Sequence, residues 1–132
     1  MHKWFGITLT LTITFITIQV CGQLGIFTGG SNAYTAISSF DIYTHALGSA
    51  ALGAFMLTTI SLGRYDRSWR VWIPFQVAII GTIWELVELT VTWLRLLPPQ
   101  QMWATVENSV QDIFIDFLGV CTVSFLYELS EA

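Results

Sequence analysis

The chain has 132 residues, of which 54% are hydrophobic and 11% charged, and a net charge of −4. A water-soluble domain carries about 25% charged residues, so a soluble enzyme and a disordered linker are both excluded. Lys3, Arg64, Arg67, Arg70 and Arg95 are the only basic residues, too few for the phosphate-tracking patch of a nucleic-acid binder.

What remains is an integral membrane protein, all-α, with residues 1–132 forming a single transmembrane domain. Four apolar stretches approach the roughly 20 residues that cross a bilayer core, and they predict a bundle of four transmembrane helices. The first covers about residues 4–20. Its run ITLTLTITFITIQ alternates apolar residues with threonine. In water that pattern would favour a strand; in lipid a lone strand leaves its backbone unpaired, so a helix is expected. Threonine hydroxyls tolerate this by bonding to carbonyls of the preceding turn. Ile18, Gln19 and Val20 before Cys21 lack the small residues of a signal-peptide cleavage site, so the stretch is expected to be a retained helix.

A Gly- and Ser-rich connection leads to the second helix, about residues 40–62, which carries Asp41 and His45 in its first turns. It also carries Ala46, Gly48, Ser49, Ala50, Ala51, Gly53 and Ala54, and small residues let helices approach closely in lipid. The turn GRYDRSWR holds Arg64, Arg67 and Arg70. The third helix, about residues 71–97, carries Glu85 and Glu88 and is expected to stop at Pro98 and Pro99. The fourth, about residues 109–127, carries Asp112 and Asp116, with Asn108 as its expected N-cap. Trp69, Trp72, Trp93 and Trp103 fall near predicted membrane boundaries, as interfacial aromatic residues do. Cys21 and Cys121 fall at different depths, and no disulfide is expected.

Lys3 and the three arginines of the second connection lie on one side, whereas the first and third connections have no Lys or Arg and Arg95 alone lies at the far end of helix 3, four basic residues against one. The positive-inside rule then puts both termini in the cytoplasm of a multi-pass protein of the inner (cytoplasmic) membrane.

Ionisable residues inside a span usually face a bundle interior or a water-filled cavity. Asp41 and His45 are four apart, Glu85 and Glu88 three apart, and Asn108, Asp112 and Asp116 four apart in series. Each set therefore shares one helix face. Counting about 1.5 Å per residue from the cytoplasmic start of helix 3, Glu85 and Glu88 stand roughly 21–26 Å up. Asp41, His45, Asp112 and Asp116 start their helices from the outer side. One polar cluster near the external surface is expected.

So many carboxylates without a nearby cation cannot all be ionised and unpaired. They share protons, bind a divalent cation, or open to water. The donor set suits a metal of the zinc, manganese or iron class better than copper(I), which prefers sulfur. His45, Glu85 and Asp116 are the expected ligands, with Asp41, Glu88 and Asp112 as further ligands or supporting partners. If the site is catalytic, hydrolysis of a lipid-linked substrate is the natural reaction. The competing expectation is an accessory subunit of a larger membrane assembly or a homo-oligomer, docking through the threonine face of helix 1. Either way the bilayer is a partner and nucleic acid is not. No broken helix points to a transporter.

The stretches FDIYTHALGSAALG, IWELVEL and ENSVQDIFIDFLGV carry D-x-x-x-H, W-E-x-x-E and N-x-x-x-D-x-x-x-D in that order. This order resembles the YjdF-like (DUF2238) inner-membrane proteins of bacteria and archaea. More distantly it is similar to VanZ-like membrane proteins. The resemblance covers residues 38–123 and implies a small polytopic membrane protein with a polar intramembrane site; it brings no reaction with it.

Overall fold

A computed structural model describes residues 2–37, 39–63, 67–96 and 105–131. Five α-helices are present among them: α1 (His2–Gln23), α2 (Ala33–Ala36), α3 (Phe40–Leu62), α4 (Ile73–Trp93) and α5 (Val106–Glu131). Short 3-10 turns at Ile26–Thr28 and Arg67–Trp72 complete the regular structure, and no described residue is in a strand. Four helices are long and apolar enough to cross a membrane, so the chain is an all-α membrane protein. Large side chains such as Phe5, Leu9, Ile13, Phe114 and Phe125 point outward, as lipid-facing residues must.

Several helix ends differ from the sequence expectation. α1 runs on to Gln23 and stops at Gly25, whose φ of 69° is left-handed. α4 ends at Trp93, ahead of the two prolines, which lie outside the described residues together with Trp103, Ser38, Arg64 and Asp66. The stop is a Schellman closure. Leu96 N–H donates to Val91 O (3.1 Å), and Arg95 N–H donates to Thr92 O (3.1 Å). Arg95 takes the left-handed position (φ 54°) where glycine is usual. α5 starts three residues before the expected start, because Thr105 caps it in place of Asn108. Its Oγ1 accepts from Asn108 N–H at 3.1 Å. At the head of α3, Ser39 is the N-cap residue but makes no side-chain capping bond.

α3 is the central helix, with α1, α4 and α5 packed around it. Glycines set the closest approaches. A Cβ on Gly53 would stand 2.6 Å from Val120, one on Gly119 would strike Ser49 and the Ala46 carbonyl, and one on Gly48 would stand 2.9 Å from the Phe15 ring. Thr8 on α1 and Thr58 on α3 share a buried hydrogen bond of 2.9 Å.

The apolar core occupies the end of the bundle where α1 and α4 begin. It comprises Trp4, Ala54, Leu57, Ile73, Val77, Val120, Val123 and Tyr127. Trp4 packs against Tyr127 in a tilted pair with ring centres 4.8 Å apart and donates to Ser130 at 2.8 Å, while Arg70 lies over the Tyr127 ring at 4.7 Å. The opposite end, where α1 and α4 finish and α3 and α5 begin, has a polar interior. Trp69, Trp72 and Trp93 are exposed at or near span ends. Cys21 and Cys121 are free.

Candidate functional site

His45 stands at the centre of the polar end. Its Nε2 faces Asp41 Oδ1 at 3.7 Å, Glu85 Oε1 at 3.7 Å and Asp112 Oδ2 at 4.0 Å. On the other side of the ring, Nδ1 lies 3.2 Å from Asp116 Oδ1. With Asp116 ionised, an N–H at Nδ1 donates to it. Nε2 is turned toward three carboxylates from three different helices.

Helix geometry explains the convergence. His45 lies one turn from Asp41 on the same face of α3. Glu85 projects from α4 one turn beyond Gly81, which is buried with no side chain. The Asp116 carboxylate fills the space at Gly81, where an added Cβ would collide with Oδ2. Asp112 and Asp116 are successive turns of the buried face of α5. Beneath them, Ser49 donates to His45 O at 2.8 Å, and the Gly119 contact brings α5 against α3.

Asn108 ties the outer edge together. Its Nδ2 donates to Asp41 Oδ2 at 3.2 Å and also to Asp112 Oδ2. It is a neutral donor holding two acids from different helices in place. The sequence places Asn108 on the Asp112 face, but its expected capping role obscured this bridge. Gly81 was legible in the same way, as the residue one turn below Glu85.

Glu85 has the most telling surroundings. The residue is 1% exposed, yet neither carboxylate oxygen has a hydrogen-bond partner among the described residues. The buried Ser109 hydroxyl also faces it but forms no bond of proper geometry with it. Buried polar groups are nearly always partnered, and this carboxyl has His45 Nε2 at 3.7 Å as its nearest cationic or donor nitrogen among the described residues.

The structure thus gathers five of the six residues singled out in the sequence: Asp41, His45, Glu85, Asp112 and Asp116. Glu88 stands apart, accepting from Trp84 Nε1 on its own helix at 2.8 Å. One ligand atom each from Asp41, His45 and Asp112 lies within 4.8 Å of the others, a grouping that could hold a metal ion.

A cavity of about 700 Å³ opens beside the cluster, between α1 and α4 and floored by α3. His45, Asp41, Asp116 and Glu88 line it, as does Tyr34 from the connection above. The Tyr34 hydroxyl donates to Gln19 Oε1 and lies 3.4 Å from Thr44 Oγ1. Burial pushes the Tyr34 phenol above its ordinary range. No family profile, curated protein or solved structure matches the chain.

Proposed function

We propose that this membrane protein binds one divalent cation of the zinc, manganese or iron class in the outer half of the bilayer. Asp41, His45 through Nε2, Glu85 and Asp112 are the ligands, and Asp116 orients the imidazole. The observation that carries the reading is the bare, buried Glu85 carboxylate facing His45 Nε2 at 3.7 Å. Around a tetrahedral ion with bonds near 2.0–2.2 Å, neighbouring ligand atoms are about 3.4 Å apart. Asp41 and Asp112 stand 3.7 and 4.0 Å from Nε2, and one ligand atom each of Asp41, His45 and Asp112 lies within 4.8 Å of the others; Glu85, 3.7 Å from Nε2 but outside that group, would turn toward the ion on binding. A carboxylate behind the non-ligating nitrogen is the usual support of a metal-bound histidine. A bound cation would supply Lewis acidity and lower the pKa of a bound water; this chain's part is to hold it, exclude lipid and fix His45 through Asp116.

As the residue that orients the imidazole, Asp116 departs from the sequence expectation, which made it a ligand, while Asp41 and Asp112 move toward the cation. We propose membership of the YjdF-like group on the three stretches alone, whose residues build the cluster. Cytoplasmic termini, an inner-membrane location and an outward-facing site belong to the same proposal, supported by the arginines of the α3–α4 connection.

A second reading has a specific observation behind it. Four carboxylates surround one imidazole at 3.2–4.0 Å, which also suits a proton held as imidazolium. The test is metal content and oligomeric state of protein purified in mild detergent. The proposal expects one metal per chain, lost in His45→Ala and Glu85→Gln. Metal-free protein that stays folded across chelator and metal additions overturns it and leaves the proton.

A further inference from the structure

The cavity beside the cluster is graded in the same direction on three helices. Along α1 its lining passes from Phe15 to Gln19 and Gln23; along α3 it passes from Leu52 through Ser49 to His45 and Asp41; along α4 it passes from Val77 and Ile80 to Trp84 and Glu88. α1 and α4 run parallel and α3 runs against them, so all three apolar ends meet at mid-bundle and all three polar ends meet beside His45. From Val77 to Glu88 the groove is about 16 Å long at the helical rise. Its volume of about 700 Å³ falls in the range that accommodates small ligands. Its lining comes from both α1 and α4, two helices long and apolar enough to cross a membrane, so an occupant with an apolar chain has the bilayer as its reservoir.

The polar end selects the headgroup. Asp41, Glu88 and Asp116 line it with His45, Gln19, Gln23 and Tyr34, and no Lys or Arg among the described residues does. A phosphate or carboxylate headgroup would meet three carboxylates there, whereas an ammonium would be attracted to them. We propose that the groove binds an amphiphile with a single apolar chain and a cationic amine headgroup, the chain lying against Phe15, Leu52, Val77 and Ile80 and the amine reaching Glu88. This goes beyond the metal reading and stands without it, since Glu88 is not one of the proposed ligands.

The test uses the full chain in phosphatidylcholine vesicles and quenching of tryptophan emission by two probes, an alkylammonium and an alkylcarboxylate brominated at the chain end. Trp84 lines the groove and serves as the reporter. The amine probe should half-saturate at least about tenfold below the carboxylate probe. That component should vanish in Trp84→Phe, weaken severalfold in Glu88→Gln and be lost when Ile80→Phe fills the apolar end. Butylammonium, which lacks the chain, should not displace the probe. Equal quenching by both probes, or displacement by butylammonium, overturns the proposal. So does an absence of quenching together with cross-linking between Ile80→Cys copies, which would mean a second chain covers the groove. Each measurement is repeated after chelation. Amine binding by protein that takes up no metal fails the metal proposal alone, and a stoichiometric metal without amine binding fails the amine proposal alone.

Discussion

Replacing Glu85 by leucine sets stability against metal binding in one experiment. The Glu85 carboxylate is 1% exposed and lacks hydrogen-bond partners among the described residues. An unsatisfied buried polar group costs about 1–3 kcal/mol. Leucine is similar in size, carries no polar atom and leaves His45 with Asp41, Asp112 and Asp116. With metal chelated, the variant should therefore be more stable than the parent by about 1–3 kcal/mol. Metal reverses the order: a ligand at 100 times its Kd stabilises the parent by about 2.7 kcal/mol, and a variant without its fourth ligand gains little. Thermal unfolding in mild detergent, with chelator and then with zinc, reads both effects. A destabilisation of chelated Glu85→Leu by about 3 kcal/mol or more, on the order of the loss when a well-made buried ion pair is broken, would refute an unpartnered Glu85.

Gly81→Ala should displace the Asp116 carboxylate from His45 Nδ1 while keeping the fold, lowering metal affinity about 10–100-fold by competition titration. Gly119→Ala should destabilise the bundle by about 1–3 kcal/mol in thermal unfolding, because its Cβ meets the Ala46 backbone carbonyl, which has little room to move. The Tyr34 phenol, held above its ordinary range, binds its proton more tightly folded than unfolded, so its contribution is full below the unfolded value of about 10 and falls as pH rises past it. Unfolding midpoints recorded on both sides of that value should show this alkaline loss in the parent and a reduced loss in Tyr34→Phe.

The helices and the shared height of the acids were legible because each had a physical cause visible in one dimension. Apolar runs of bilayer length must be helical. An Asp or Glu within such a run must turn away from lipid, and spacings of three and four put Asp41 with His45 and Asp112 with Asp116 on single faces. What the spacing lacks is the rotation of each helix about its own axis. That rotation decides that Asp116 meets Nδ1 while Glu85 meets Nε2, and that Glu88 turns to Trp84. The ends of α4 and α5 depended on local chemistry with competing candidates: Arg95 in a left-handed position ahead of Pro98, and Thr105 capping ahead of Asn108. The groove was hidden because α1 distributes its apolar residues and threonines around the whole helix, with no distinct inward stripe. Nothing in ITLTLTITFITIQ says that it leans on α3 and leaves a gap beside α4. Its exposed threonines, Thr10, Thr14 and Thr17, face away from the bundle, while Thr8 is used internally against Thr58.

X-ray absorption at the zinc edge, on protein loaded with one equivalent of zinc, tests the metal assignment most directly. A shell of one imidazole nitrogen and oxygen donors at about 2.0–2.2 Å, losing its imidazole signature in His45→Ala, is the expected result. A shell containing sulfur near 2.3 Å, or one unchanged by His45→Ala, would contradict it.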